Sequence, residues 1–406
     1  MLKRFKKIFE LEASTGILLL ISTIIALLIA NSQNFHIYEQ FLAIKLPLSL
    51  PFNINKELTI HSWINDGLMA IFFLLIGLEL KEEIINGELS SKEKITLPAI
   101  AAIGGVIFPA IIFYLCNLQK PENLSGFAIP TATDIAFAYG VICMFGNKIP
   151  KSLKVFLISL AIFDDLIAII IIAIFYSQNL KMIYFLYVGC LISILLLLNF
   201  INSRNMLYYL LAGILIWLAI LFSGVHATIA GIILAIFIPH KNNMLHKLIK
   251  TIAPTVNFLV LPIFAFANSG VRINDFSFSI FQDPLIMGIV LGLFLGKQIG
   301  VMLFSFLAVR YKIATLPKLD ERPNQISKNV GWLEFYGVAI LTGIGFTMSF
   351  FIGSLAFKDN HSAFDTAKIG VLSASLISAI FGILVIFIAN KIKKTPYKLN
   401  IYHLPR

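Results

Sequence analysis

Two adjacent aspartates, Asp164 and Asp165, lie inside the long apolar stretch 150–176. The basic residue that precedes them there, Lys154, lies about three helical turns upstream, too far to neutralise them along one helix. An acid at the centre of a bilayer costs about 2.5 to 3.5 kcal/mol on insertion scales. Because acids at that depth mark ion or proton pathways, the pair predicts a buried site for a small cation or for protons.

A second polar group, Thr133 with Asp134, follows Pro130 in the apolar stretch 124–145. Proline lacks an amide donor and disfavours helix at the residue before it, so this stretch should break near its middle. The break would lie at about the same depth as the aspartate pair if neighbouring stretches cross in opposite directions.

Lys297 lies midway along the stretch 284–308, and the pair Gly343 and Gly345 permits a second break in the stretch 330–353. Broken helices expose free amides and carbonyls that bind ions or offset charge. Carboxylates offer hard oxygen ligands to a small cation. A site whose carboxylates hold either a cation or protons exchanges one for the other by competition.

The composition indicates that these residues belong to segments that cross a membrane. Of the 406 residues 58% are hydrophobic and 13% are charged, whereas an ordinary globular chain has about 25% charged residues. Twelve apolar stretches are long enough to cross the hydrocarbon layer. We therefore expect an all-α polytopic membrane protein that forms a single domain over residues 1–406. The twelve stretches are 14–31, 62–85, 97–116, 124–145, 150–176, 182–200, 205–220, 221–239, 254–271, 284–308, 330–353 and 364–390.

The loops divide unequally in positive charge. With the N-terminus in the cytoplasm, the inner segments hold 24 Lys and Arg residues and the outer segments hold 6, while Lys297 and Lys368 lie within spans. This positive-inside bias predicts that both termini are cytoplasmic. It also explains the net charge of +11 without a nucleic-acid partner. The three cysteines all lie in apolar runs and indicate neither a disulfide framework nor a metal site.

The segment 45–60 between the first two spans has a nearly alternating pattern. Such alternation predicts a small β-hairpin outside the membrane, although Pro47 and Pro51 restrict its pairing.

Several segments resemble those of the bacterial NhaA Na⁺/H⁺ antiporters, and the likeness runs from about residue 12 to the last span. They are WINDGLMAIFFLLIGLE (63–79), AIPTATDIAFA (128–138), the Asp164–Asp165 pair, SGVHATIAG (223–231), LPIFAFAN (261–268) and GIGFTMS (343–349).

The resemblance implies twelve spans in which the third to fifth are related to the tenth to twelfth by inversion, with the fourth and eleventh crossing as half-helices. It also implies an electrogenic, pH-regulated exchange in the bacterial inner membrane that extrudes Na⁺, and Li⁺ as well, for external H⁺. Such exchange serves pH and sodium homeostasis, is driven by the proton gradient and needs no cofactor. The hairpin 45–60 would pair two protomers of a homodimer.

The same resemblance implies roles for the buried polar residues. Asp165 would be the principal ligand of the transported cation, with Asp164 as a second ligand and as the proton-carrying partner of Lys297. Thr133 and Asp134 would form the polar part of the helix crossing.

The resemblance links Glu79, Glu83 and His226 to a cytoplasmic funnel and to the pH response. Two residues depart from the pattern of the family, because Glu82 stands where a basic residue is expected and Ile249 where an acid is expected. These departures concern the pH set point rather than the transport chemistry.

Each of these residues also has a purely structural interpretation. Asp134 could cap a half-helix, and Lys297 could extend its ammonium to the membrane interface. Glu79 and Glu83 could form a solvated helix end, and His226 could be a packed polar residue. The glycines at 292, 296 and 300 have the spacing of close helix packing.

Two other functions are less well matched by the sequence. An intramembrane protease needs two aspartates on separate helices that share a proton, whereas this pair is adjacent on one helix. The sequence contains no Ser–His or zinc-ligand pattern that would indicate an enzyme of another kind. A cation channel would use acids too, but a lysine at the depth of the site disfavours a continuous cation pore.

Overall fold

The apolar stretches of the sequence form helices in the computed structural model, which describes residues 2–50, 54–87, 92–177, 179–201, 203–240, 243–272, 278–318 and 330–394. The α-helices of these residues are α1 Leu2–Ala30, α2 Phe35–Ala43, α3 Ile60–Ser62, α4 Met69–Asn86, α5 Lys92–Cys116, α6 Ile135–Cys143, α7 Lys151–Phe175, α8 Met182–Phe200, α9 Met206–Ser223, α10 Ile229–Phe237, α11 Met244–Thr255, α12 Leu261–Ser269, α13 Pro284–Leu291, α14 Lys297–Arg310, α15 Trp332–Leu341, α16 Phe346–Ala356 and α17 His361–Lys394.

Short turns of other helix types join several of these elements. Three π-helical turns, Trp63–Leu68, Val256–Val260 and Gly292–Gly296, make α3–α4, α11–α12 and α13–α14 into continuous spans. A 3₁₀-helix, Pro121–Thr131, precedes α6. Shorter 3₁₀ turns are Gly146–Lys148 and Phe278–Gln282.

Among the described residues, seven helices are long and apolar enough to cross a membrane, and three bent helix pairs bring the number to ten if each pair is one span. The second expected span corresponds to α3, the π turn and α4. The ninth begins earlier than expected, because the helix already starts at Met244. The number twelve is therefore still a prediction.

The eighth expected span, 221–239, is shorter in the structure than its composition indicates. Helix α9 continues to Ser223 and ends at Gly224, whose φ of +91° is left-handed backbone that glycine adopts readily. Helix α10 begins only at Ile229 and has nine residues. Apolar composition did not reveal this boundary.

The predicted hairpin is present. Strands β1, Lys45–Leu50, and β2, Ile54–Thr59, pair antiparallel with Lys45 opposite Thr59 and Leu50 opposite Ile54. The Lys56 ammonium donates to the Leu221 carbonyl at 2.8 Å and attaches the hairpin to the end of α9.

Two spans are interrupted at the positions that the sequence indicated. The 3₁₀-helix Pro121–Thr131 and α6 meet at 44°, and α15 and α16 meet at 43°. The interruptions contain Thr133 in the first pair and Gly343 in the second. At both interruptions, backbone groups without partners in their own helix are available for bonds to other segments.

Helix α7 carries the aspartate pair through the interior and packs against α5 and α6, while α5 also crosses α14. At that crossing Gly104 and Gly300 face each other so closely that a Cβ on either residue would collide with the carbonyl of the other. This close approach brings α14, which begins with Lys297, towards α7.

Candidate functional site

The structure brings Lys297 of α14 and Asp164 of α7 into direct contact. The Lys297 Nζ atom lies 2.5 Å from Asp164 Oδ2, and both side chains are 0% exposed. A buried ammonium and a buried carboxylate each lose their hydration, so each needs the other. Gly105 of α5 lies beside the lysine, since a Cβ there would be 3.6 Å from the Lys297 Nζ atom.

The Thr133 hydroxyl lies between two acceptors. Its Oγ1 is 2.6 Å from Asp164 Oδ2 and 2.8 Å from the Thr342 carbonyl oxygen. A hydroxyl has a single proton and can donate to only one of them. It can donate to an ionised Asp164, whereas a protonated Asp164 can donate to Thr133, which then donates to Thr342. The geometry fits both protonation states of Asp164.

Asp165 is also 0% exposed, but it lacks such partners. Within the described part of the chain neither of its carboxylate oxygens has a hydrogen-bond partner, and Asp164 Oδ1 has none either. A buried carboxylate that accepts no hydrogen bond is strongly destabilised unless a cation or a proton neutralises it. These three oxygens are therefore the natural ligands for a small cation.

Asp134 lies at the crossing of the two interrupted spans. Its Oδ1 accepts the Phe137 N–H group of α6 at 2.9 Å, and its Oδ2 accepts both the N–H group and the hydroxyl of Thr347 in α16. Asp134 thus caps the N-termini of two half-helices, where a negative charge offsets the helix dipoles.

Further bonds between the interrupted spans fix the crossing. The Asp134 N–H group donates to the Ile344 carbonyl at 2.7 Å, and Ser349 Oγ donates to the Ile129 carbonyl at 2.7 Å. Sequence reasoning singled out the glycine pair in this region but missed the hydroxyls of Thr342, Thr347 and Ser349. Their clustering beside those glycines was the available signal.

Glu79 and Glu83 lie on α4 one helical turn apart. Lys81, which lies between these two acids in the sequence, donates to the Ile236 carbonyl and, at 2.7 Å, to the Ile238 carbonyl at the C-terminal end of α10. The lysine therefore ties the α4 end that carries these acids to α10.

His226 lies at the hairpin end of the molecule, away from Glu79 and Glu83. A ring nitrogen of His226 is 3.2 Å from the Tyr176 carbonyl oxygen, and the ring lines a cavity together with Asp66. Asp66 and Glu79 are separated by thirteen residues, about 20 Å at the rise of a helix.

That cavity has a volume of about 650 Å³ and lies at the hairpin end of the molecule. Its walls come from β2, the start of the second span, the loops after α7 and α9, and the α16–α17 connection. It does not contain the aspartate pair.

Within the described residues no group of three or more His, Cys, Asp or Glu side chains has the arrangement of a metal site. A cation at Asp165 and Asp164 would need further oxygens from hydroxyls, carbonyls or water to complete its shell.

The profile of the Na⁺/H⁺ antiporter 1 family matches residues 6–386 of the chain. The Na⁺/H⁺ antiporter NhaA of Pelagibacter ubique is 46% identical over 394 residues, which cover 96% of this chain and 98% of that protein. The Na⁺/H⁺ antiporter NhaA 2 of Campylobacter jejuni subsp. doylei is 46% identical over 398 residues, 97% of this chain and 100% of its own. The Na⁺/H⁺ antiporter NhaA of Shewanella frigidimarina is 44% identical over 390 residues, 94% of this chain and 95% of that relative.

Proposed function

Because this chain belongs to the Na⁺/H⁺ antiporter 1 family, we propose that it exchanges Na⁺ for H⁺ at the carboxylates of Asp164 and Asp165. The observation that supports this site is the burial of three carboxylate oxygens without a hydrogen-bond partner in the described residues. Such oxygens bind either a dehydrated small cation or protons, so the two substrates compete.

Asp165 acts as the principal cation ligand in this proposal, and Asp164 as the second ligand and the proton carrier. The ammonium of Lys297, 2.5 Å from Asp164, stabilises the ionised carboxylate after its proton has left. Thr133 follows the protonation of Asp164 by redirecting its single hydroxyl proton between Asp164 and Thr342. The negative charge of Asp134 offsets the positive ends of the dipoles of α6 and α16 at the crossing.

The exchange is electrogenic in this proposal, because one monovalent cation shares two carboxylates that can each take a proton. Li⁺ uses the same site, since it is small and binds hard oxygen ligands as Na⁺ does. The proton gradient drives Na⁺ out of the cell, and the activity maintains sodium and pH balance. No cofactor takes part.

The multi-pass chain lies in the bacterial inner membrane with both termini in the cytoplasm, a proposal that the 24 to 6 division of Lys and Arg supports. It forms one membrane domain of twelve spans. The succession of α5, a broken span and α7 is matched by α13–α14, a broken span and α17, with bends of 44° and 43°, as an inverted repeat requires.

A homodimer forms through the hairpin in this proposal. A two-stranded sheet leaves an outer edge with free backbone groups, and Leu46 on that sheet is 44% exposed. Glu79 and Glu83 at the cytoplasmic end and His226 at the outer end adjust activity to pH.

The test uses everted membrane vesicles from cells that lack other Na⁺/H⁺ exchange. A pH gradient is established by respiration, and added NaCl or LiCl should dissipate it, whereas choline chloride should not. Faster exchange under an imposed potential of the right sign would establish electrogenicity. A chain that is present in the membrane but leaves the gradient intact over a range of pH would contradict the proposal.

A further inference from the structure

The cavity at the hairpin end is rich in basic side chains. Lys56, Lys181 and Lys358 line it, whereas Asp66 and Asp359 are its acidic residues. Three histidines add positive charge when protonated, and they are His61, His226 and His361. The lining therefore has a positive balance of charge at neutral pH even with neutral histidines.

Lys56 is fixed in the cavity wall by a hydrogen bond and by a contact with an aromatic ring. Its Nζ donates to the Leu221 carbonyl at 2.8 Å and lies 5.7 Å from the centre of the Phe222 ring. Burial lowers the pKa of Lys56; Asp66 opposes this effect, while the charges of Lys358 and Lys181 add to it. The three ammonium groups therefore act on the same space. None of them forms an ion pair in the part of the chain that the structure describes.

Helix α16 connects this cavity to the candidate site. Thr347 at its start bonds Asp134, and Ser354 and Leu355 near its end line the cavity. The distance between these positions is about 10 to 12 Å along the helix. A single helix thus joins the crossing that contains Asp134 to the cavity at the hairpin end.

Buried aromatic side chains pack against the middle of α16. Phe351 of α16 packs against Phe73 of α4 and Phe264 of α12, with ring centres 5.4 and 6.3 Å apart, and all three are buried. A cation in the cavity would lie within the field of the lysines.

We propose that the cavity is an electropositive outer vestibule in which Lys56 and Lys358 lower the affinity of the external face for Na⁺. A cleft lined by charges of one sign changes the local concentration of a mobile ion. Here that sign repels cations, so an external Na⁺ ion binds poorly, and the same field acts on the protons that enter from this side. This inference rests on the proposed function and on an external hairpin.

The experiment compares the two faces of the same protein. Right-side-out vesicles loaded with a pH dye give the apparent KM for external Na⁺, and everted vesicles give the apparent KM for cytoplasmic Na⁺. The variants are Lys56→Gln, Lys56→Glu and Lys358→Gln. Lys45→Gln is the matched control, because Lys45 lies on the same hairpin, pairs with Glu57 and is not among the cavity-lining residues.

At low ionic strength we expect each Gln variant to lower the external KM about threefold, and Lys56→Glu to lower it further. The cytoplasmic KM should stay unchanged, and the difference should largely disappear at about 1 M choline chloride, where exposed charges are screened beyond about 3 Å. Lys45→Gln should behave like the parent.

An unchanged external KM in correctly inserted Lys56→Gln and Lys358→Gln proteins would overturn the vestibule. So would an equal change in Lys45→Gln, or a change confined to the cytoplasmic face. A parent protein without Na⁺-dependent exchange in everted vesicles would instead contradict the proposed function, which separates the two failures.

Discussion

The Asp134 carboxylate holds Thr347 by two bonds, since its Oδ2 accepts the backbone N–H group of that residue at 3.0 Å and also its hydroxyl. The other oxygen caps α6 through the Phe137 N–H group. Each helix N-terminus carries about half a positive charge, so one carboxylate balances two half-helices. The interpretation of Asp134 as a helix cap is thereby confirmed in geometry, while its part in transport is a proposal.

Asp134→Ala should destabilise the protein by roughly 2 to 4 kcal/mol, because three buried donors lose their acceptor. Thr347→Val should lose about 1 kcal/mol, since the backbone bond to Asp134 survives. Thermal unfolding in detergent would give the order of the melting temperatures. Equal melting temperatures for parent and Asp134→Ala would show that the capping bonds contribute nothing to stability.

Asp165→Asn should abolish Na⁺-dependent exchange, because a neutral amide lacks the charge that holds a dehydrated cation. Dissipation of the pH gradient in everted vesicles measures the loss, with the amount of protein in the membrane determined in parallel. Glu39→Gln is the control, since Glu39 is an exposed acid of α2 and its loss should leave exchange intact. Exchange at the parental rate by Asp165→Asn would remove this residue from the site.

Lys297→Ala should give a folded but less stable protein with weaker exchange and an altered pH response, because Asp164 is left buried without its partner. The loss of stability should be about 3 to 5 kcal/mol. The double variant Lys297→Ala with Asp164→Asn should recover part of this loss. If it melts no higher than Lys297→Ala alone, the observed contact does not act as a stabilising pair, and Asp134 becomes the next candidate for carrying the proton.

Glu82→Lys should shift the pH dependence of exchange without lowering the maximal rate. Glu82 is half-buried between Lys81 and Glu83 near the C-terminal end of α4, which we propose to be cytoplasmic, and the local potential there would influence the supply of protons and cations. The pH profiles of mutant and parent are to be compared at several Na⁺ concentrations. Coincident profiles would exclude a role for this position in the pH response.

Local chemistry was enough to predict the main features of the fold. Pro130 and the pair Gly343 and Gly345 indicated the two interruptions, and the alternating segment indicated the hairpin. The common depth of Lys297 and the three aspartates indicated a charge contact, and the family resemblance implied that Asp164 is the partner of the lysine.

Contacts between distant segments were not predictable in the same way. The bonds of Thr347 to Asp134 and of Thr133 to Thr342 join residues more than two hundred positions apart, and they depend on the angle at which two spans cross. The place of His226 depended on the non-helical residues after Gly224, which apolar composition concealed.

The contact of Gly104 with Gly300 constrains how the molecule can move. Two helices whose backbones touch can rotate together about a distant axis, but they cannot slide past each other without opening a gap in the core. Helices α5 and α14 should therefore form one rigid part of any rearrangement, with Lys297 carried along by it. Access to Asp164 and Asp165 would then change when the surrounding helices move relative to this rigid pair.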